Sequence, residues 1–70
     1  MTVYDNALEL AIAPERWFVE LVTGEILEVL THGYSIRDGR YVFSLLFRGS
    51  PNFQVVSLSI PTGAVADVHD

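Results

Sequence analysis

Asp38-Gly39 stands between two runs of alternating side chains, Tyr34-Ser35-Ile36-Arg37 and Arg40-Tyr41-Val42-Phe43. Asp-Gly supplies the positive φ angles of a type I′ turn, whose twist matches that of two antiparallel strands. Whatever this chain folds into therefore carries a β-ribbon at its centre. The second strand of the ribbon, Tyr41 to Arg48, places Tyr41, Phe43, Leu45 and Phe47 on one face and Val42 and Leu46 on the other. It reads as a central strand covered on both sides. Gly49-Ser50-Pro51-Asn52 then turns the chain, Phe53 to Ile60 forms another strand, and Pro61-Thr62-Gly63 makes a tight corner. Ala64 to Val68 is a short last strand, with His69-Asp70 frayed beyond it.

Upstream of the ribbon, Trp17 to Leu30 satisfies two patterns. As a helix it aligns Phe18, Leu21, Val22, Ile26 and Val29 in one stripe, with Pro14 at a first helical position and Gly33 as a cap. Against a helix stand the β-branched residues Val19, Val22, Thr23, Ile26, Val29 and Thr31, and an interior Gly24 that costs about 1 kcal/mol relative to alanine. As a hairpin, Trp17, Val19 and Leu21 share a face, Thr23-Gly24 turns, and Leu27 and Val29 return to that face. The hairpin is the preferred reading, and it makes Ile26 to Arg37 one long strand able to bend at Gly33. Before it, Thr2-Val3-Tyr4-Asp5 has capping-box spacing, and Tyr4, Ala7, Leu8, Ala11 and Ile12 recur at helical intervals until Pro14. The expected fold is thus α+β and mostly β: a short helix over about residues 3–13 on a five-stranded antiparallel barrel. Its strands run over about 17–22, 26–37, 40–48, 53–60 and 64–68. The alternative is a helix over about 14–32 packed on a three- to four-stranded meander.

One domain is all that 70 residues hold, and a chain of that length buries only about 60% of the surface its unfolded form exposes. There is no cysteine for a disulfide and no His/Cys cluster for a structural metal, so neither metal nor cofactor is expected. Half of the residues are apolar, more than so small a core can hide, which points to a homo-oligomer. The absence of cysteine fits a reducing compartment. Without a basic leader or an apolar run of membrane-spanning length, the expectation is a cytoplasmic protein with no membrane partner.

Charge is distributed unevenly about a net −5: Asp5, Glu9, Glu15, Glu20, Glu25 and Glu28 crowd the first thirty residues against Arg16 alone. The remainder sets Arg37, Arg40 and Arg48 against Asp38, Asp67 and Asp70, and there is no lysine. Such a chain is poorly suited to non-specific binding of nucleic acid, which rests on neutralising phosphates. The acidic part suits a basic protein partner, and its contrast with the arginines suits head-to-tail assembly.

The order of these elements resembles the Sm-like family of small ring-forming barrels, and SH3-like barrels more generally. Val19-Glu20-Leu21-Val22-Thr23-Gly24-Glu25 is similar to the family's first signature, a hydrophobic strand running into a glycine turn, and Ile60-Pro61 with Ala64-Val65 is similar to its last corner. The resemblance implies a barrel and ring-like assembly. It does not extend to RNA binding residue by residue: Glu28 stands where a second glycine is usual, and Asp38-Gly39-Arg40 stands where the uridine-pocket motif would fall. Ser59-Ile60-Pro61 replaces the closing signature.

No catalytic constellation emerges. His32 beside Gly33 has only His69 as a fellow histidine and reads as structural or exposed; Glu25 and Glu28 at a hairpin end read as solvated. No serine lies in a Gly-x-Ser-x-Gly context, and no glycine-rich phosphate loop occurs. Trp17, Phe18, Tyr41, Phe47 and Phe53 are candidate interface residues, and Tyr34 with Arg37 and Arg40 is a candidate single-stranded RNA contact. The expected function is a non-catalytic, self-associating protein-interaction module. The alternatives are a single-stranded RNA-binding protein and a small acidic inhibitor that mimics nucleic acid.

Overall fold

The computed structural model describes residues 9–70. Six strands follow one another: β1 (Glu15–Leu21), β2 (Ile26–Thr31), β3 (Gly33–Arg37), β4 (Arg40–Phe47), β5 (Phe53–Pro61) and, after a 3₁₀ turn at Thr62–Ala64, β6 (Val65–His69). They form two three-stranded antiparallel sheets, ordered β2-β1-β6 and β3-β4-β5.

This corrects the expected helix on a five-stranded barrel in three respects. Among the described residues no ladder joins the two sheets into a closed barrel. The long strand 26–37 is broken at His32 into β2 and β3, which belong to different sheets. Among the described residues there is no α-helix, neither over 14–32 nor over 9–13; the Thr2 capping box and the rest of the expected first helix fall outside them. The reason at 9–13 lies far along the chain. β3 leaves the side of β4 at the Gly33–Ser44 pair, so the backbone of β4 beyond Ser44 needs new partners. Residues 9–11 supply them: Ala11 N–H donates to the Leu46 carbonyl at 3.0 Å, and Arg48 N–H donates to the Glu9 carbonyl at 2.6 Å.

Two of the three hairpins turn at a glycine of positive φ. At the β3–β4 turn Asp38 and Gly39 have φ of 51° and 70°, the pair of left-handed residues that defines type I′. At the β1–β2 turn Gly24 has φ 95°, and its N–H donates to the Leu21 carbonyl at 2.9 Å. The 3₁₀ corner is bonded to both tips: Thr62 N–H donates to the Gly39 carbonyl at 2.9 Å, and Val22 N–H to the Ala64 carbonyl at 3.0 Å. That corner therefore carries the chain from one sheet to the other and holds the two together at one end.

Alternation decides what lies between the sheets. Val19, Val29 and Phe43 are buried there, with Leu21, Leu27, Tyr41, Leu58, Val65 and Val68 packed round them. Beside this apolar centre sits one fully buried polar residue, Thr31. Its hydroxyl accepts from Gly33 N–H at 3.0 Å and lies 2.5 Å from the Gly33 carbonyl oxygen and 2.8 Å from that of Ser44. One side chain thus ties the end of β2, the start of β3 and β4, and so fixes the bend between the sheets.

Candidate functional site

The longest strand is also an edge. Among the described residues β5 pairs with β4 on one side only, and its nine residues, Phe53-Gln54-Val55-Val56-Ser57-Leu58-Ser59-Ile60-Pro61, carry no charge. Phe53, Val55 and Val56 are 41, 43 and 57% exposed. Register places Val55 opposite Leu45 and Phe53 opposite Phe47, on the face that holds Phe43, and places Val56 opposite Ser44 on the other face. The ends of β4 and β5 so extend an apolar surface beyond the covered core. Between β2 and this ribbon lies a mostly apolar cleft of about 430 Å³, walled by Leu27, Val29, Leu30, Leu45 and Leu58 with Glu28 and Ser57.

The other faces are polar. Arg16, Phe18 and Glu20 of β1 point outward beside Glu28 of β2 and Asp67 and His69 of β6. Arg16 Nε meets Glu28 Oε1 at 2.7 Å across an exposed pair, worth well under about 1 kcal/mol. Glu20, Glu28 and Asp67 make this an acidic face. Arg37 and Arg40 close the β3–β4 hairpin on the outer face of the second sheet, where Arg40 donates to Ser59 Oγ at 2.8 Å and to its carbonyl at 3.1 Å.

The expected site residues do not gather in one place. Tyr34 lies on the inner face, edge-on to Trp17 at 5.4 Å and in contact with Tyr41 and Phe43, whereas Arg37 and Arg40 face outward. A stacking platform with its arginines on one face is therefore not assembled from these three. Of the interface candidates, Trp17 and Tyr41 pack in the aromatic cluster, Phe18 stacks on His69, and Phe47 with Phe53 forms a stacked pair 5.8 Å apart at the open end of the β4–β5 ribbon. Only the last pair adjoins the exposed edge. Val55 and Val56 were not singled out by the sequence, although the uncharged run in which they lie is visible there.

His32 is built into the backbone ladder. Its own N–H donates to the Ser44 carbonyl at 2.9 Å, its Nδ1 accepts from Leu46 N–H at 2.7 Å, and its Nε2 lies 2.7 Å from the Ile12 carbonyl. This pairing requires the tautomer that carries its proton on Nε2, which then donates to Ile12. The ring fills the gap between the start of β3 and the 9–11 segment, leaving no nitrogen free for a substrate.

No protein-family model matches this chain, and no curated protein and no solved structure matches it either. Over residues 9–70 the chain is a small β-rich fold. Among the described residues no helix is long and apolar enough to cross a membrane.

Proposed function

We propose that this protein is a non-catalytic, self-associating interaction module that assembles through β5. The observation that carries this reading is the uncharged nine-residue edge with Phe53, Val55 and Val56 exposed along it. An edge strand presents unpaired N–H and C=O groups, and natural sheets usually guard it with charge, proline or a covering element. Here, among the described residues, the middle of the strand has none of these. A second copy is the partner best matched to such an edge, because an uncharged strand laid antiparallel to itself meets no like charge and buries the same side chains twice. The apolar cleft beside β2 adds surface that association would cover.

The reading is supported further by the small core, in which three hydrophobic side chains are buried among the described residues. The cysteine-free composition fits a module working in the cytoplasm. Sedimentation equilibrium at about tens of micromolar protein tests the proposal against the marginal stability expected of a lone domain of this size. A dimer or larger assembly is expected; a single monomeric species would reject it.

A further inference from the structure

One side chain of β1 and two of β6, strands far apart in sequence, converge on the outer face of the first sheet. Glu20 of β1 stands directly opposite Asp67 of β6, and His69 follows two residues later, opposite Phe18. Period-two alternation points all three the same way. Their ligating atoms lie within 4.8 Å of one another, and Glu20 Oε2 is 3.3 Å from His69 Nε2. The phenyl ring of Phe18 stacks on the imidazole at 5.8 Å with the planes 30° apart, which limits how the ring turns. The register of β1 and β6 shifts immediately beside Glu20, a local irregularity of the kind that re-aims side chains.

Two carboxylates placed directly opposite each other on neighbouring strands oppose pairing. Arg16, the arginine on this face, is engaged by Glu28, and among the described residues no arginine forms an ion pair with Glu20 or Asp67. We propose that Glu20, Asp67 and His69 form a binding site for a divalent transition metal of the zinc type. The donor set is one imidazole nitrogen and two carboxylate oxygens, a set that zinc accepts and calcium or magnesium, which take oxygen ligands, does not favour. Tetrahedral zinc with bonds near 2.1 Å separates its ligand atoms by about 3.4 Å, so Glu20 and His69 already stand at ligand spacing, and Asp67 closes by a side-chain rotation. Three protein ligands leave a fourth position for water or for a donor from a partner. Because the site spans β1 and β6, metal would tie down the last strand.

Titration of the untagged chain with zinc chloride by calorimetry, and with cobalt chloride by visible absorption, tests the site. Saturable binding in a fixed ratio to the chain is expected, with a cobalt spectrum that zinc abolishes. Asp67→Asn and His69→Gln, both at exposed positions, should each remove the saturable heat while far-ultraviolet dichroism stays unchanged. Phe18→Ala should keep the stoichiometry but weaken binding by about tenfold, the usual cost of losing a group that orients a ligand. Absence of saturable binding by the parent chain, or equal binding by the parent and the Asp67→Asn/His69→Gln double variant, would overturn the proposal. Neither result depends on whether β5 mediates association.

Discussion

Replacing Thr31 by valine keeps the shape of the side chain and removes only its hydroxyl. At that fully buried position the hydroxyl is the partner of Gly33 N–H, and it also bonds a carbonyl, that of Gly33 or that of Ser44. Ser44 retains the N–H of His32, so its carbonyl is not stranded. Gly33 N–H loses its partner, at about 1–3 kcal/mol for a buried unsatisfied donor, and the lost hydroxyl bond adds about 1 kcal/mol. The methyl that valine brings in place of the hydroxyl returns about 0.8 kcal/mol. The net expectation is a loss of about 2 kcal/mol. Thr31→Ser is the control: it keeps the hydroxyl and deletes one buried methyl, costing about 1 kcal/mol. Urea unfolding at one fixed protein concentration measures both, because association would otherwise contribute to apparent stability. With a slope of about 1 kcal/mol per molar for so small a domain, the valine midpoint should fall by about 2 M and the serine midpoint by about half that. If Thr31→Val proved as stable as Thr31→Ser, the hydroxyl would not be what secures the bend between β2 and β3.

Other positions give sharper or simpler outcomes. His32→Ala should cost about 1–2 kcal/mol in the same titration, since the half-buried Leu46 N–H loses its partner whereas the Ile12 carbonyl is open to water; an unchanged midpoint would remove His32 from the ladder. Val56→Lys puts a charge on the exposed edge of β5 and should shift the protein toward monomer in sedimentation while leaving its dichroism intact. Gly39→Ala places a methyl at φ 70° and should lower thermal stability by about 1 kcal/mol in calorimetry. Gly49→Ala should be harder to tolerate, because its Cβ would meet the Pro51 carbonyl oxygen at 2.8 Å; an unaltered melting temperature would show that the β4–β5 turn yields without cost.

Elements whose conformation is set within a few residues were legible in the sequence. Asp38-Gly39 demands two left-handed residues, and that requirement is met on the spot. Trp17 to Leu30 was legible only in part: its β-branched residues and Gly24 weigh against a helix before any tertiary contact is known, but its apolar spacing fits both patterns. Residues 9–13 were not. Their helical spacing is real, but the open backbone groups of Leu46 and Arg48 that recruit them belong to another strand, and no local pattern carries that demand. His32 was hidden for the same reason, because its ring nitrogens meet residues 14 and 20 positions away. The break at His32 followed from Thr31, whose buried hydroxyl looks in sequence like any other strand threonine.

The same distinction explains why Tyr34, Arg37 and Arg40 do not share one face. Tyr34, Arg37 and Arg40 are neighbours in sequence, and proximity suggested a common platform; strand alternation puts Tyr34 on one face and both arginines on the other. Glu20 is distant in sequence from Asp67 and His69, and the three share a face because β6 pairs with β1. For β5 the difficulty is subtler. An uncharged run from Phe53 to Pro61 has the composition of a central strand, and β4, which is central, also lacks charge between its end residues Arg40 and Phe47. Whether such a strand is an interior or an open edge depends on which strands stand beside it, which is a property of topology. It follows that an uncharged strand found at an edge is informative where the same strand at the centre is not: at the centre its composition is accounted for by burial within the chain, whereas at the edge the residues still need a surface to cover them.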